Sequence, residues 1–121
     1  MTDGLTKSAD VLGRRLLGHD AVKLGVVREM FLDLETGQIA FLIVEGGGLL
    51  GGSGKFQPVP WAAVRHDVVG GHFQIAMAKD AFKAAPAYDR EQLGAAGYAW
   101  SEQSARFFAD LGDGLQPTVA G

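Results

Sequence analysis

The chain has 121 residues, 47% hydrophobic and 21% charged, the balance of an ordinary globular domain, and a formal charge of -3 with both signs interspersed. One domain of this length buries roughly 65% of its unfolded surface without help from metals or disulfides. No basic stripe marks it for direct nucleic-acid binding, and the absence of cysteine excludes disulfides, thiolate catalysis and cysteine-ligated zinc, which suits a reducing cytoplasm.

Residues 1–9 are polar and small and are expected to be a flexible lead-in, with Asp10 to Gly13 entering the fold. They hold no apolar core of signal-peptide length. The longest uninterrupted apolar run, Ile39 to Val44, is far too short to span a membrane. Arg14 to Leu17 is a first short strand, and Gly18-His19-Asp20-Ala21 supplies the turn of a first hairpin.

From Val22 to Leu34 a period of two places Leu24, Val26, Met30 and Leu32 on one face, with Arg28 a lapse, and Val27, Glu29, Phe31 and Asp33 on the other. The good helix formers in this stretch make a helix the competing reading. Gly25 weakens it, and Glu35-Thr36-Gly37 ends the run as a hairpin turn does. In Gln38 to Glu45, Ile39, Phe41 and Ile43 alternate with Ala40, Leu42 and Val44, so both faces are apolar and both need cover. The C-terminal tail or a second subunit must supply the outer cover.

Gly46 to Gly54, GGGLLGGSG, fits three functional patterns in part and none in context. Gly46, Gly48 and Gly51 satisfy G-x-G-x-x-G, yet the following segment carries Pro58 and Pro60 and cannot be the helix a dinucleotide site requires. As a P-loop the run fails at Leu49 and Phe56. As a nucleophile elbow around Ser53 it fails at Lys55, which stands where a glycine is needed. A connection between strands is the plain reading, and Leu49 and Leu50 at its tip are candidate partner contacts or fold back on the barrel.

Phe56 to Val59 is a short strand whose Pro58 implies an edge or bulge position. Trp61, just after Pro60, is better explained as a core anchor than as a stacking platform. Val64 to Val69, the Gly70-Gly71 turn and His72 to Met77 form a last hairpin. His19, His66 and His72 have no metal-ligand spacing, and Asp20, Asp33, Glu35 and Asp67 stand where turns use acids. Lys79 to Ala85 is a short helix stopped by Pro86, Asp89 caps another turn, and Ser101 caps a final helix over Glu102 to Leu111 with an apolar stripe of Phe107, Phe108 and Leu111. Gly112 is the expected stop, and residues 113–121 a frayed tail.

Ser8 to Gly13, Lys23-Leu24-Gly25, the turn from Leu32-Asp33 to Gly37-Gln38-Ile39, Gly46-Gly47-Gly48 with Leu50-Gly51, and Val59-Pro60-Trp61 follow in the order and spacing of the PRC-barrel family, which the chain therefore resembles. That family is similar to the cytoplasmic domain of the photosynthetic reaction centre H subunit and to the C-terminal domain of a ribosome maturation factor. Ala85 to Asp89 and Trp100-Ser101-Glu102 with Phe107-Phe108 resemble the tail of bacterial stand-alone members. Ala21 departs from the glycine often seen in the first turn.

The resemblance implies an all-β fold, a small PRC-type β-barrel of about five to six short antiparallel strands over residues 10–78. A helical extension over residues 79–112 packs on the barrel or on a partner subunit. Gly25, Asp33, Gly37, Gly47, Gly48, Gly51, Pro60 and Trp61 are its structural signature. It also implies a non-catalytic protein-protein interaction or assembly module with no cofactor and no metal. A homo-oligomer, foremost a dimer, is expected, with Leu49, Leu50, Phe107 and Phe108 as contacts to an unknown protein partner. Two alternatives stand beside it. One is a small-ligand site or minor enzyme beneath the glycine loop using Lys55 and His66. The other is an accessory factor of the ribosome or of a photosynthetic complex, roles for which the better-known relatives carry extra parts.

Overall fold

The computed structural model describes residues 5–46, 53–67 and 69–115, with side chains as far as residue 109. A helical turn, α1 (Ser8–Val11), stands where a loose lead-in was expected, and seats Val11 in the core. Six strands follow: β1 (Arg15–Leu17), β2 (Lys23–Asp33), β3 (Gln38–Gly46), β4 (Phe56–Pro60), β5 (Arg65–Asp67) and β6 (His72–Gln74). Three further helices complete the order: α2 (Lys79–Phe82), α3 (Arg90–Gly94) and α4 (Trp100–Leu115).

The strands form one sheet in the order β4-β3-β2-β1-β6-β5. All pairs are antiparallel except β1 with β6, which is parallel. The expectation of an all-β, all-antiparallel barrel is thereby corrected: this is a mixed, mostly antiparallel sheet, not closed, with enough helix to be α/β. The reason for the parallel pair lies in the connection between the edge strands. A 3-10 turn, Trp61–Ala63, carries the chain from β4 to β5 without reversing it, so β6 returns in the direction of β1.

That connection also bends the sheet. Laid flat, six strands ~4.8 Å apart would separate β4 from β5 by about 24 Å. The chain from Pro60 to Arg65 reaches ~18 Å at most. The sheet must therefore curl until its edges approach, and a covalent corner substitutes for the missing ladder. Trp61 packs from this corner edge-on against Phe73 of β6, ring centroids 6.0 Å apart, and Val64 N–H closes the turn on the Trp61 carbonyl at 3.0 Å. Pro58 and Pro60 lie on edge strand β4, where a missing donor is tolerated.

Two hydrophobic clusters lie on opposite sides of the β2–β3 ladder. The larger holds Leu16, Leu24, Val27, Leu42, Val44, Val59, Phe73 and Phe108; the smaller holds Ile43, Phe56, Leu93 and Trp100, with Phe31, Phe41 and Tyr88 against it. The strict period of two read from the sequence is broken by bulges. Val27 pairs with Val44 and Glu29 with Ile43, leaving Arg28 as the extra residue, so Val27 and Met30 face the same cluster. Phe31 pairs with Phe41 and Leu32 with Ile39, which leaves Ala40 over and puts Ile39 and Phe41 in different clusters. Arg28 breaks the alternation because it is the bulge.

The doubly apolar β3 is covered on both sides by its own chain. Its outer face receives Leu93 of α3 and Trp100 of α4, and the indole Nε1–H donates to the Leu93 carbonyl at 3.0 Å. The α3 turn begins as expected at Asp89, whose side chain accepts from Gln92 N–H while the Gln92 side chain accepts from Asp89 N–H. The last helix starts at Trp100, so Ser101 lies inside it, and it continues through Gly112 to Leu115. It packs on β4 and on the 3-10 corner, with Phe108 and Ser104 fully buried.

Local backbone demands explain two positions. At Gly25 a Cβ would stand 2.6 Å from both the Glu45 carbonyl oxygen and Val44 Cγ1, so β2 and β3 meet there only around a glycine. In the first hairpin Ala21 takes the left-handed φ of 67°, held by its N–H to the Gly18 carbonyl at 2.9 Å. A side chain is costly in that conformation. Replacing Ala21 by glycine should raise the unfolding free energy by about 1 kcal/mol, read as a higher urea midpoint with unchanged slope; an unchanged or lower midpoint would show that the turn stores no strain.

Candidate interaction surface

The β2–β3 hairpin is longer than its neighbours. Strand β1 pairs with β2 only as far as Val26, and β4 pairs with β3 only from Phe41, so residues 28–33 and 38–40 project as a two-stranded arm. Such an arm is marginal alone. Its turn is built by Asp33, whose Oδ1 accepts from Glu35 N–H at 2.9 Å and from Thr36 N–H at 3.4 Å, and by Gly37 at a φ of 76°, whose N–H donates to the Asp33 carbonyl. Its root is held by aromatic packing: Phe31 meets Trp100 at 5.0 Å and Tyr98 at 5.4 Å, and Phe41 meets Trp100 at 5.2 Å, all edge to face.

Between the arm and the start of α4 runs an open groove of about 440 Å³. Its floor is Phe41 and Trp100, its walls Leu32 and Leu34 on the arm and Tyr98 opposite. The walls face water: Leu32 is 57% exposed, Leu34 88% and Tyr98 48%. The only charged side chains lining it among the described residues are Asp33 and Glu35, both acidic. Tyr98 sits at a φ of 47°, a conformation unfavourable for any side chain, between its own N–H donating to the Ala95 carbonyl and its carbonyl accepting from Ser101 N–H. A leucine next to the Glu35-Thr36-Gly37 turn has little to pack against, and that position is the local signal by which Leu34 could have been found. Nothing local marked Tyr98.

A second concavity, of about 520 Å³, opens where the glycine loop leaves and rejoins the sheet. Lys23, Lys79 and Lys83 stand around it, with Gln57 and Ser53 as further polar lining and no acid among the described residues. These three lysines make no ion pair among the described residues. Gln57 is committed to the fold, since its Nε2 donates to the carbonyls of Phe82 at 2.9 Å and Ala85 at 3.3 Å. Beneath α3 lies a smaller cavity, of about 190 Å³, where Arg90 stacks over Phe56 at 5.0 Å.

Glu45 joins Gly54 and Arg28 to the end of β3 through its two carboxylate oxygens. Its Oε2 accepts from Gly54 N–H at 3.0 Å and its Oε1 from Arg28 Nε at 3.0 Å. The Gly54 bond is the main reason its pKa falls below the ordinary 4.5; partial burial opposes the shift, and Arg28 and Arg90 add to it. Asp67 is lowered chiefly by the Gly70 N–H, a turn role like that of Asp33.

The residues singled out from sequence fall into three groups. Gly47, Gly48, Leu49, Leu50 and Gly51 lie outside the described residues. Phe108, expected to be available to a partner, is 1% exposed and belongs to the core of its own chain, because α4 docks on its own sheet; Phe107 is half-buried beside it at 4.9 Å. Lys55 and His66, which the alternative reading placed in one pocket beneath the glycine loop, line no common concavity among the described residues. Lys55 precedes β4 and His66 lies on β5 against Arg14 Nη1 at 2.9 Å and the Phe73 ring, and the lysine-rimmed cleft is lined by neither. His19 is exposed, and His72 is 3.6 Å from Asp67. Among the described residues no group of three or more His, Asp or Glu side chains is placed to hold a metal ion, and no helix is long and apolar enough to cross a membrane.

A family model described as the PRC-barrel domain matches residues 4–81, which leaves α3, Tyr98 and α4 outside it. Among solved structures the chain is similar to RimM of Pseudomonas aeruginosa, named for 16S ribosomal RNA processing, at 15% identity and a TM-score of 0.44. That likeness covers 64% of this chain and 46% of the other, so the chain spans less than half the length of that protein. No curated protein matches the chain.

The Glu45 geometry carries a pH dependence of definite sign. A carboxylate with a lowered folded-state pKa contributes stability above its ordinary value of 4.5, and the contribution is lost as pH falls through the folded-state pKa. Glu45→Gln should therefore be less stable than the parent near neutral pH, with the difference shrinking in acid. Urea unfolding at neutral pH and below the carboxylate range measures both; a difference that does not change with pH would remove the charge from the account.

Proposed function

Because the chain belongs to the PRC-barrel domain family, we propose that it works as a non-catalytic protein-interaction module that docks a partner in the groove between the β2–β3 arm and α4. The observation that carries this reading is the clustering of Leu32, Leu34 and Tyr98 at the surface, over a floor of packed aromatic rings. Scattered exposed apolar residues are ordinary; three around one concavity, one of them on a strained backbone, favour an interface. The doubly apolar β3 gives no argument for a second subunit, since α3 and α4 cover it.

Affinity purification from the native organism, with the intact chain and with Leu34→Ser as baits, tests the reading. At least one protein should be recovered in stoichiometric amount by the first bait and be reduced about tenfold or more with the second, as expected for loss of an apolar anchor. Leu34 is exposed, so the substitution leaves the fold intact. Identical recoveries from the two baits would sink the proposal.

The lysine-rimmed cleft favours a second reading, a site for a small anionic ligand near the glycine loop. Its support is three cations around one concavity with no acidic lining residue among those described, an arrangement that concentrates positive potential. Calorimetric titration with inorganic pyrophosphate should then show saturable binding that Lys79→Ala with Lys83→Ala abolishes. No heat in the parent, or the same heat in the variant, would leave the cleft as solvated surface.

A further inference from the structure

We infer that the groove's occupant is a peptide segment whose apolar side chains are flanked by lysine or arginine. The inference rests on the interaction-module reading and adds the partner's chemistry to it. Leu32, Leu34 and Tyr98 offer apolar contact to anchors laid along the Phe41 and Trp100 floor. Around these walls the charge is of one sign. Asp33 and Glu35 are the only ionisable lining residues other than Tyr98 among those described, and neither carboxylate is neutralised by a cation there.

The two acids differ in what they can do. Asp33 has one oxygen committed to the turn through Glu35 N–H and Thr36 N–H, which fixes the carboxylate at the groove's lip. The Glu35 side chain has no hydrogen bond or ion pair among the described residues and is free to meet a cation. A segment bringing acids to this lip would meet like charge, whereas one bringing lysine or arginine gains attraction and loses less on desolvation. Apolar anchors supply affinity, and the acidic lip discriminates among the segments that carry them.

The two sides of the groove come from different parts of the chain. The arm belongs to the stretch matched as a PRC-barrel domain, and Tyr98 and Trp100 lie beyond it. The acidic lip thus lies within the matched domain, and the segment beyond it supplies the apolar wall and part of the floor that make the groove.

Selection of a displayed random-peptide library on the full chain, with Leu34→Ser as the counter-selection bait, reads the preference directly. Peptides that depend on Leu34 should carry aromatic or leucine anchors with lysine and arginine enriched several-fold over aspartate and glutamate. On Glu35→Lys the enrichment should shrink or invert, and the affinity of a synthesised lysine-flanked winner, measured by fluorescence anisotropy, should fall about tenfold. Leu34-dependent peptides without a basic excess would overturn the charge inference and leave the interaction module standing. Absence of any Leu34-dependent peptide would overturn both. Concentration-dependent self-association in sedimentation, lost in Leu34→Ser, would assign the groove to a second copy of the chain and overturn the basic-segment occupant.

Discussion

Strand β3 has no polar face. Leu42 and Val44 point into the larger cluster while Phe41 and Ile43 point the other way, and each of Leu42, Ile43 and Val44 is fully buried. A strand of this kind is stable only between two apolar layers. The curled sheet supplies one, and the segment after the barrel supplies the other through Leu93 and Trp100. The C-terminal helices are thus part of the fold's energetics. Trp100 anchors this layer, with its ring among Phe31, Phe41 and Tyr98 and its N–H on the Leu93 carbonyl, so an aromatic of this size is buried without an unsatisfied donor.

The same covering layer creates the groove. The β2–β3 arm runs past its neighbours in the sheet, and the helix that covers β3 begins at its root, so a step remains between a projecting hairpin and a helix start. Leu32, Leu34 and Tyr98 on that step stay exposed among the described residues. The 3-10 corner at Trp61 borders the arm's other face, near Ile39 and Ala40, and draws β4 and β5 together, making a barrel-like core from a sheet that is not closed. Leu32 and Leu34 belong to neither hydrophobic cluster, so the exposed face of the arm adds nothing to the core.

Much of the fold was legible in the residues. The hairpin at Asp33 to Gly37, the edge position of Pro58, the cap at Asp89 and the need to cover both faces of β3 were each visible in composition and spacing. The candidate site was legible only in part. Leu49 and Leu50 drew attention as exposed leucines in a glycine loop, and Phe107 and Phe108 as an aromatic stripe, yet Phe108 is spent in the core. Tyr98 escaped notice because its local context is ordinary, and Leu34 because it reads as the end of a strand although it lies in the turn. What makes them a site is the meeting of residues separated by more than sixty positions of chain, a juxtaposition that no periodicity records.

The sequence by itself determined what is settled within a few residues: turns, caps, the alternation that marks strands, and the chemistries that the composition excludes. Side-chain oxygens bonding nearby amides and the φ demands of glycine act at short range, and they survive in any tertiary context. Only the tertiary structure decided the strand order, the parallel β1–β6 pair, and the bulges at Arg28 and Ala40 that send Val27 and Met30 to one core and part Ile39 from Phe41. Those depend on how distant strands pair and on how far a short corner can reach. The division of apolar residues between core and surface follows from that pairing, and with it the position of the groove.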